Sequence, residues 1–291
     1  NGTWNLLEKV YVQGAVPQAG WYFHYGVEGE ERMFATADIP DYPTGEFPVA
    51  PDDPAYQFDR NPNTIQEQDF VFGLPAEPAV LDEPGCVPGA VGILLSGIVL
   101  FNALDAPGRD AVAHETQDEC DGPPQASGVY HNHSVSRCLL EEIDSGEGHS
   151  ALVGYIVDGF GIYGPRGEDG VVLGSEDLDA CHGHTHAIAW NGRETEMYHY
   201  HATLDFPYTV GCMRGAYDND DVLMISGPRL EMQMGQGRPN GRPDLQAAAA
   251  TLGVTEAALV DALGAPPPDL AAAAAKLGID ESALSNALGL P

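Results

Sequence analysis

Lysine is almost missing from these 291 residues: it occurs at Lys9 and Lys276, and Lys and Arg together number 12 against 44 Asp and Glu. The formal charge of −32 at pH 7 argues against nucleic acid and anionic lipid surfaces as partners, because both are held through a basic patch. Long apolar runs are missing too. No stretch reaches the roughly 18 apolar residues of a spanning helix, so membrane insertion is not expected. Nor is there a His-Glu-x-x-His, a Gly-x-Ser-x-Gly or a phosphate-cradling glycine loop, which removes the familiar zinc-protease, serine-hydrolase and nucleotide-binding readings. An acidic, lysine-poor surface suits a saline or divalent-rich medium. The run Asp218-Asn219-Asp220-Asp221 reads either as a Ca-binding loop or as a solvated turn. A start at Asn1 without Met is read as a mature secreted product whose signal has been removed.

What the chain does have is an internal duplication. Gly92 to Asn102 lays over Gly154 to Gly164 with glycines, apolar positions and aromatic in register. Asp118-Glu119-Cys120 then matches Asp179-Ala180-Cys181, Gly122 matches Gly183, and Tyr130-His131-Asn132-His133 matches Tyr198-His199-Tyr200-His201. A further cysteine closes each copy, Cys138 or Cys212. The copies run about 91–138 and 153–212.

In an extended strand residues i and i+2 share a face. His131 with His133, and His199 with His201, are therefore two-pronged donors, and the intervening tyrosines point away. Duplicated halves packed about a pseudo-twofold axis would bring the four imidazoles together as a site for Cu or Zn, since Ca and Mg prefer oxygen. His184 and His186 add a third pair. The competing reading makes these histidines hydrogen-bonding residues of tight turns in a glycine-rich core.

The two cysteines of each copy bracket its His pair, so the simplest pairing is Cys120 with Cys138 and Cys181 with Cys212. That pattern belongs to an oxidising compartment and an extracellular protein. Thiolate ligation of zinc would need Cys-x-x-Cys spacing, which is missing. Cys86 is left over, either buried, free or paired with another chain.

Residues 1–234 read as mainly β, strand-rich and built from two pseudo-symmetric halves, with short apolar runs such as 91–101, 152–156 and 221–225. Arg32 to Leu74 is crowded with prolines and is expected to wrap the core. A Gly- and Pro-rich linker follows at 235–242. Beyond it, residues 243–291 repeat with a period of 25: Pro243-Asp244-Leu245 recurs as Pro268-Asp269-Leu270, and Leu252-Gly253 as Leu277-Gly278. Each unit reads as a helical hairpin, stopped by its glycine and capped again at Thr255 or Asp280. This alanine-rich module is either a surface for self-association or a protein partner, or a packed C-terminal cap.

The stretches Asp158 to Pro165, Leu178 to His184, Met197 to Thr203 and Phe206 to Cys212 resemble the YHYH-domain proteins, and the likeness extends upstream through Asn61 to Glu67. It covers about residues 31–215. The first copy departs from the family pattern in carrying Asn132 between its histidines. The resemblance implies an extracellular protein without an established activity.

The second copy carries extra polar groups. Asp158 stands where the first has Ser96, and His149, His182, His184 and His186 have no counterparts. Asp158 is open to four roles: metal ligand, acceptor behind a ligand, general base, or an acid bonding its own turn. With copper, Tyr198 or Tyr200 would make redox chemistry available. Three classes of function remain: a metal-binding protein for sequestration or structure, a structural subunit of an extracellular assembly, and a metal-dependent hydrolase or oxidase with Asp158 and Tyr200 as catalytic candidates.

Overall fold

The computed structural model describes residues 9–218, 245–255, 258–259, 262, 270–280, 283–284 and 287. The chain divides into two compact units, Asn1–Pro228 and Arg229–Pro291. The expected strand at 221–225, the linker at 235–242 and Asn219 to Asp221 of the acidic run lie outside the described residues.

Unit 1 is mainly β, as its short apolar runs punctuated by turn residues predict. A three-stranded antiparallel sheet is formed by β1 (Phe23–Glu28), β2 (Glu31–Thr36) and β3 (Phe70–Pro75), in that order. β2 alternates buried and less buried positions, and its buried face carries Arg32, Phe34 and Thr36. The larger sheet contains β4 (Ala90–Leu94), β5 (Val99–Phe101), β6 (His131–Asn132), β7 (Leu152–Ile156), β8 (Gly161–Tyr163), β9 (Gly183–Trp190) and β10 (Arg193–His201). Two short helices, α1 (Ala111–His114) and α2 (Arg137–Ile143), interrupt it, each capped by the side chain before it, Asp110 or Ser136. One apolar cluster joins the sheets, Phe34, Phe72 and Leu74 from the smaller with Ile93, Leu100, Ile156, Phe160, Ile162 and Tyr200 from the larger.

The ends of the proline-rich segment belong to β2 and β3, and between them it forms no long element, as expected. It holds one 3-10 turn, Pro54–Gln57, and is tied down by polar side chains: Asn61 and Asn63 both donate to the Pro124 carbonyl.

The strand order of the large sheet, β6-β5-β4-β7-β8-β10-β9, is where the duplication shows. β5 with β6 and β8 with β10 are parallel, and the other neighbours are antiparallel. From β6 to β10 the order is therefore symmetric about the β4–β7 pair. Gly92 faces Ile156 and Leu94 faces Gly154, which are equivalent pairs, and Ile93 faces its own counterpart Tyr155. The pseudo-twofold axis runs between those two residues. Both turns that follow are made by matched left-handed glycines, Gly97 (φ +83°) and Gly159 (φ +88°).

This placement overturns one sequence expectation. The halves join through their first strands, so the strands carrying the His pairs lie at opposite sides of the sheet. Five strand spacings of about 4.8 Å separate β6 from β10 by roughly 24 Å. His131 and His133 cannot share an ion with His199 and His201.

Unit 2 contains α3 (Leu245–Leu252) and α4 (Leu270–Leu277). Both end alike: Gly253 and Gly278 are left-handed (φ +69° and +68°), and the next N–H, of Val254 or Ile279, bonds back to Ala249 or Ala274. Ala248, Ala249, Ala273 and Ala274 pack with Leu259 and Leu284. No described helix is long and apolar enough to cross a membrane.

The central pair gives a stability test. A Cβ at Gly154 would press into the Ile93 carbonyl, backbone that cannot swing aside, whereas one at Gly26 in β1 meets no heavy atom within 4 Å. Gly154→Ala is expected to lower unfolding free energy by about 1–3 kcal/mol. Gly26→Ala should change it by no more than about 0.5 kcal/mol, both read from equilibrium urea unfolding.

Candidate metal centres

The second copy builds the larger cluster. β9 and β10 are antiparallel with His184 directly opposite His199, and the pleat puts His184, His186, His199 and His201 on one face. His149, from the segment before β7, closes the group. One ligand atom of each of these five residues lies within 4.8 Å of every other. His199 and His201 are buried, while His149, His184 and His186 are half-buried, so the cage is open on their side. Tyr163 lines it, its ring edge-on to His149 at 5.1 Å and to His199 at 5.0 Å.

Hydrogen bonds from the ring nitrogens decide what this cage can do. Nδ1 of His149 faces the Ser150 carbonyl at 2.8 Å, that of His186 the Ala187 carbonyl at 2.9 Å, that of His199 the Met197 carbonyl at 3.2 Å and that of His201 the Gly164 carbonyl at 2.7 Å. A carbonyl only accepts, so each Nδ1 must carry the proton and each Nε2 a lone pair. All five Nε2 atoms, His184 included, are buried without a hydrogen-bond partner. Orphaned acceptors of this kind are costly unless something occupies them. Burial also lowers the basicity of His149, His184, His199 and His201, with the neighbouring imidazoles adding to it, and His201 falls to about 3. They stand neutral, the form that ligates metal.

The dimensions fit. Two nitrogens across a metal at about 2.1 Å each are roughly 4.2 Å apart, so ring shifts of a few tenths of an ångström close the cage. Carbonyl acceptors behind ligating histidines are the usual second layer of such a site.

The first copy reuses the orientation scheme with fewer donors. His131 Nδ1 faces the Val129 carbonyl at 3.3 Å, as His199 faces Met197, and His133 Nδ1 faces the Asn102 carbonyl, the counterpart of Gly164. Glu115, just after α1, brings its carboxylate 3.2 Å from His133 Nε2 and 3.8 Å from His131 Nε2. Burial alone would raise the Glu115 carboxyl, but the two imidazoles outweigh it and hold it well below the usual range. Phe101 stacks on His131 with centroids 4.4 Å apart.

The disulfides Cys120–Cys138 and Cys181–Cys212 are formed, and Cys86 is free and exposed. Each clamps a loop whose aspartate sets the following strand. Tyr130 donates to Asp118 and Tyr198 to Asp179, and those carboxylates accept from the N–H groups of Cys120 and Gly122, or Cys181 and Gly183.

Asp158 and Tyr200, the catalytic candidates, lie elsewhere. Tyr200 sits between His199 and His201 on β10 and so points to the opposite face, where its hydroxyl donates to Asp158 at 2.6 Å. Asp158 also accepts from the N–H groups of Phe160, Arg214 and Gly215, and both side chains are fully buried. Burial raises the Asp158 carboxyl despite these donors. The pair pins the β7–β8 turn to the 212–215 segment and does not reach the cage. His182, the remaining unmatched histidine, is held by the carbonyls of His201 and Thr209 and by Ser175 and Thr203, outside both clusters. Two ligand candidates escaped assignment from sequence. His149 was visible as a histidine without a counterpart, but Glu115 carried no signal among 44 acidic residues.

A disulfide-clamped β domain with two histidine clusters is the class these observations define. Residues 71–171 match the family model described as YHYH protein. The matched segment contains Glu115, His131, His133 and His149 and ends before His184. No curated protein and no solved structure matches the chain.

Tyr200→Phe separates a clamp from a catalyst. Removing the hydroxyl leaves a buried carboxylate short of one donor, which is expected to cost about 1–3 kcal/mol in urea unfolding. Metal content should be unchanged.

Proposed function

We propose that this chain is a secreted protein that binds a transition metal, copper or zinc, in the cage of His149, His184, His186, His199 and His201, for sequestration or structure. The observation that carries the reading is the set of five buried Nε2 atoms without partners, four of them made lone-pair acceptors by carbonyls behind their rings. An all-imidazole donor set disfavours Ca and Mg, which take oxygen, and suits Cu or Zn. Five nitrogens exceed the four of tetrahedral zinc, which favours Cu(II). The charge of −32 raises the local concentration of cations around the chain. The two disulfides support an oxidising, extracellular setting. The half-buried edge formed by His149, His184 and His186 leaves the ion accessible to exchange, which favours sequestration over a purely structural staple.

Inductively coupled plasma mass spectrometry of natively purified protein tests this. Wild type should carry copper or zinc, and His184→Ala/His186→Ala, which removes half-buried rings and spares the buried pair, should lose one equivalent while keeping its circular dichroism. Wild type that takes up neither metal with the fold intact would overturn the proposal.

A further inference from the structure

We propose that Glu115, His131 and His133 form a second, independent metal centre of mixed nitrogen and oxygen chemistry, at the far side of the sheet from the histidine cage. Both Nδ1 atoms are committed to carbonyls, of Val129 and Asn102, which leaves both Nε2 atoms as the ring positions free to meet a ligand. They converge on the same carboxylate oxygen, Glu115 Oε2, at 3.8 and 3.2 Å. An imidazole Nε2 this close to a carboxylate calls for a positive charge between them, either a proton or a metal ion. A proton bridges one of those contacts, whereas a metal ion serves all three side chains. His133 Nε2, although 3.2 Å from the carboxylate, is buried and makes no hydrogen bond. One ligand atom from each of the three residues lies within 4.8 Å of the others.

The ring side chains are 6% and 2% exposed and Glu115 26%, so the centre is walled by protein on the imidazole side and reached from solvent past the carboxylate. Phe101 fixes the His131 ring by stacking. Two imidazoles and one carboxylate are the donor set of an open divalent site, common to Zn(II) and Fe(II), and Zn(II) is the redox-inert probe for it. The carboxylate makes this centre harder than the cage, so the two differ in metal preference. The inference does not depend on the cage being occupied.

Zn(II) titration of the metal-free, full-length protein by calorimetry, with Glu115→Gln and His184→Ala/His186→Ala alongside wild type, decides it. Glu115→Gln keeps the shape and removes the charge. Wild type is expected to bind two equivalents, with Glu115→Gln weakening one by at least about tenfold and the histidine variant removing the other. One equivalent, lost in the histidine variant and indifferent to Glu115→Gln, would overturn this centre and leave the cage standing. One equivalent lost only in Glu115→Gln would support it and rule zinc out of the cage, leaving copper there. If Glu115→Gln does not fold, nitrogen NMR of wild type decides: the Nε2 resonances of His131 and His133 must shift on Zn(II) addition, and unchanged shifts would overturn the proposal.

Discussion

A backbone carbonyl accepting from Nδ1 is the interaction on which the chemistry of this protein rests. It forces the proton to one side of the ring and leaves the lone pair on the other, so the backbone trace decides where each imidazole can bind. Four such bonds aim four Nε2 atoms into the cage, and two more serve the first copy. The scheme is positional: Asn102 and Gly164 occupy equivalent places and offer equivalent carbonyls to His133 and His201. Any sequence change that moved either carbonyl would free the ring to rotate, whatever happened to the histidine itself.

Holding those carbonyls in place is the work of the duplicated frame. The β4–β7 pair brings two glycines against facing backbone at the pseudo-axis, and each copy then repeats a turn, an aspartate-organised loop, a tyrosine that bonds the aspartate and a disulfide. The frame is the same in both halves, but the clusters are not. One half completes its His pair with Glu115; the other adds the long β9–β10 hairpin, with two more histidines, and His149. Duplication followed by one-sided growth thus yields an all-nitrogen cage on one side and a nitrogen–oxygen group on the other.

Much of this was legible in the chain. Period-two spacing gives the two-pronged His pairs, the bracketing cysteines give both disulfides, and the matched Gly92 and Gly154 motifs give the equivalent strands. The position of the axis was not legible, because a repeat says which segments are alike and not which of them touch. Pairing through β4 and β7 is decided by backbone fit at Gly92 and Gly154, a three-dimensional property, and it sends the His pairs apart. The same limit applies to Asp158. As an acid unmatched in the first copy it reads equally as a ligand or as a turn residue, and only the pleat of β10 shows that its partner Tyr200 faces away from the histidines. Glu115 follows a four-residue helix and becomes a candidate ligand only through the fold.

The most direct test of the central claim, that oriented imidazoles hold a transition metal, is an anomalous-difference map from crystals of natively purified protein, recorded at the copper and zinc absorption edges. The account predicts a peak within bonding distance of the Nε2 atoms of His199 and His201, surrounded by the rings of His149, His184 and His186. A map in which neither edge gives a peak in the cage, with those five rings ordered around water, would contradict it.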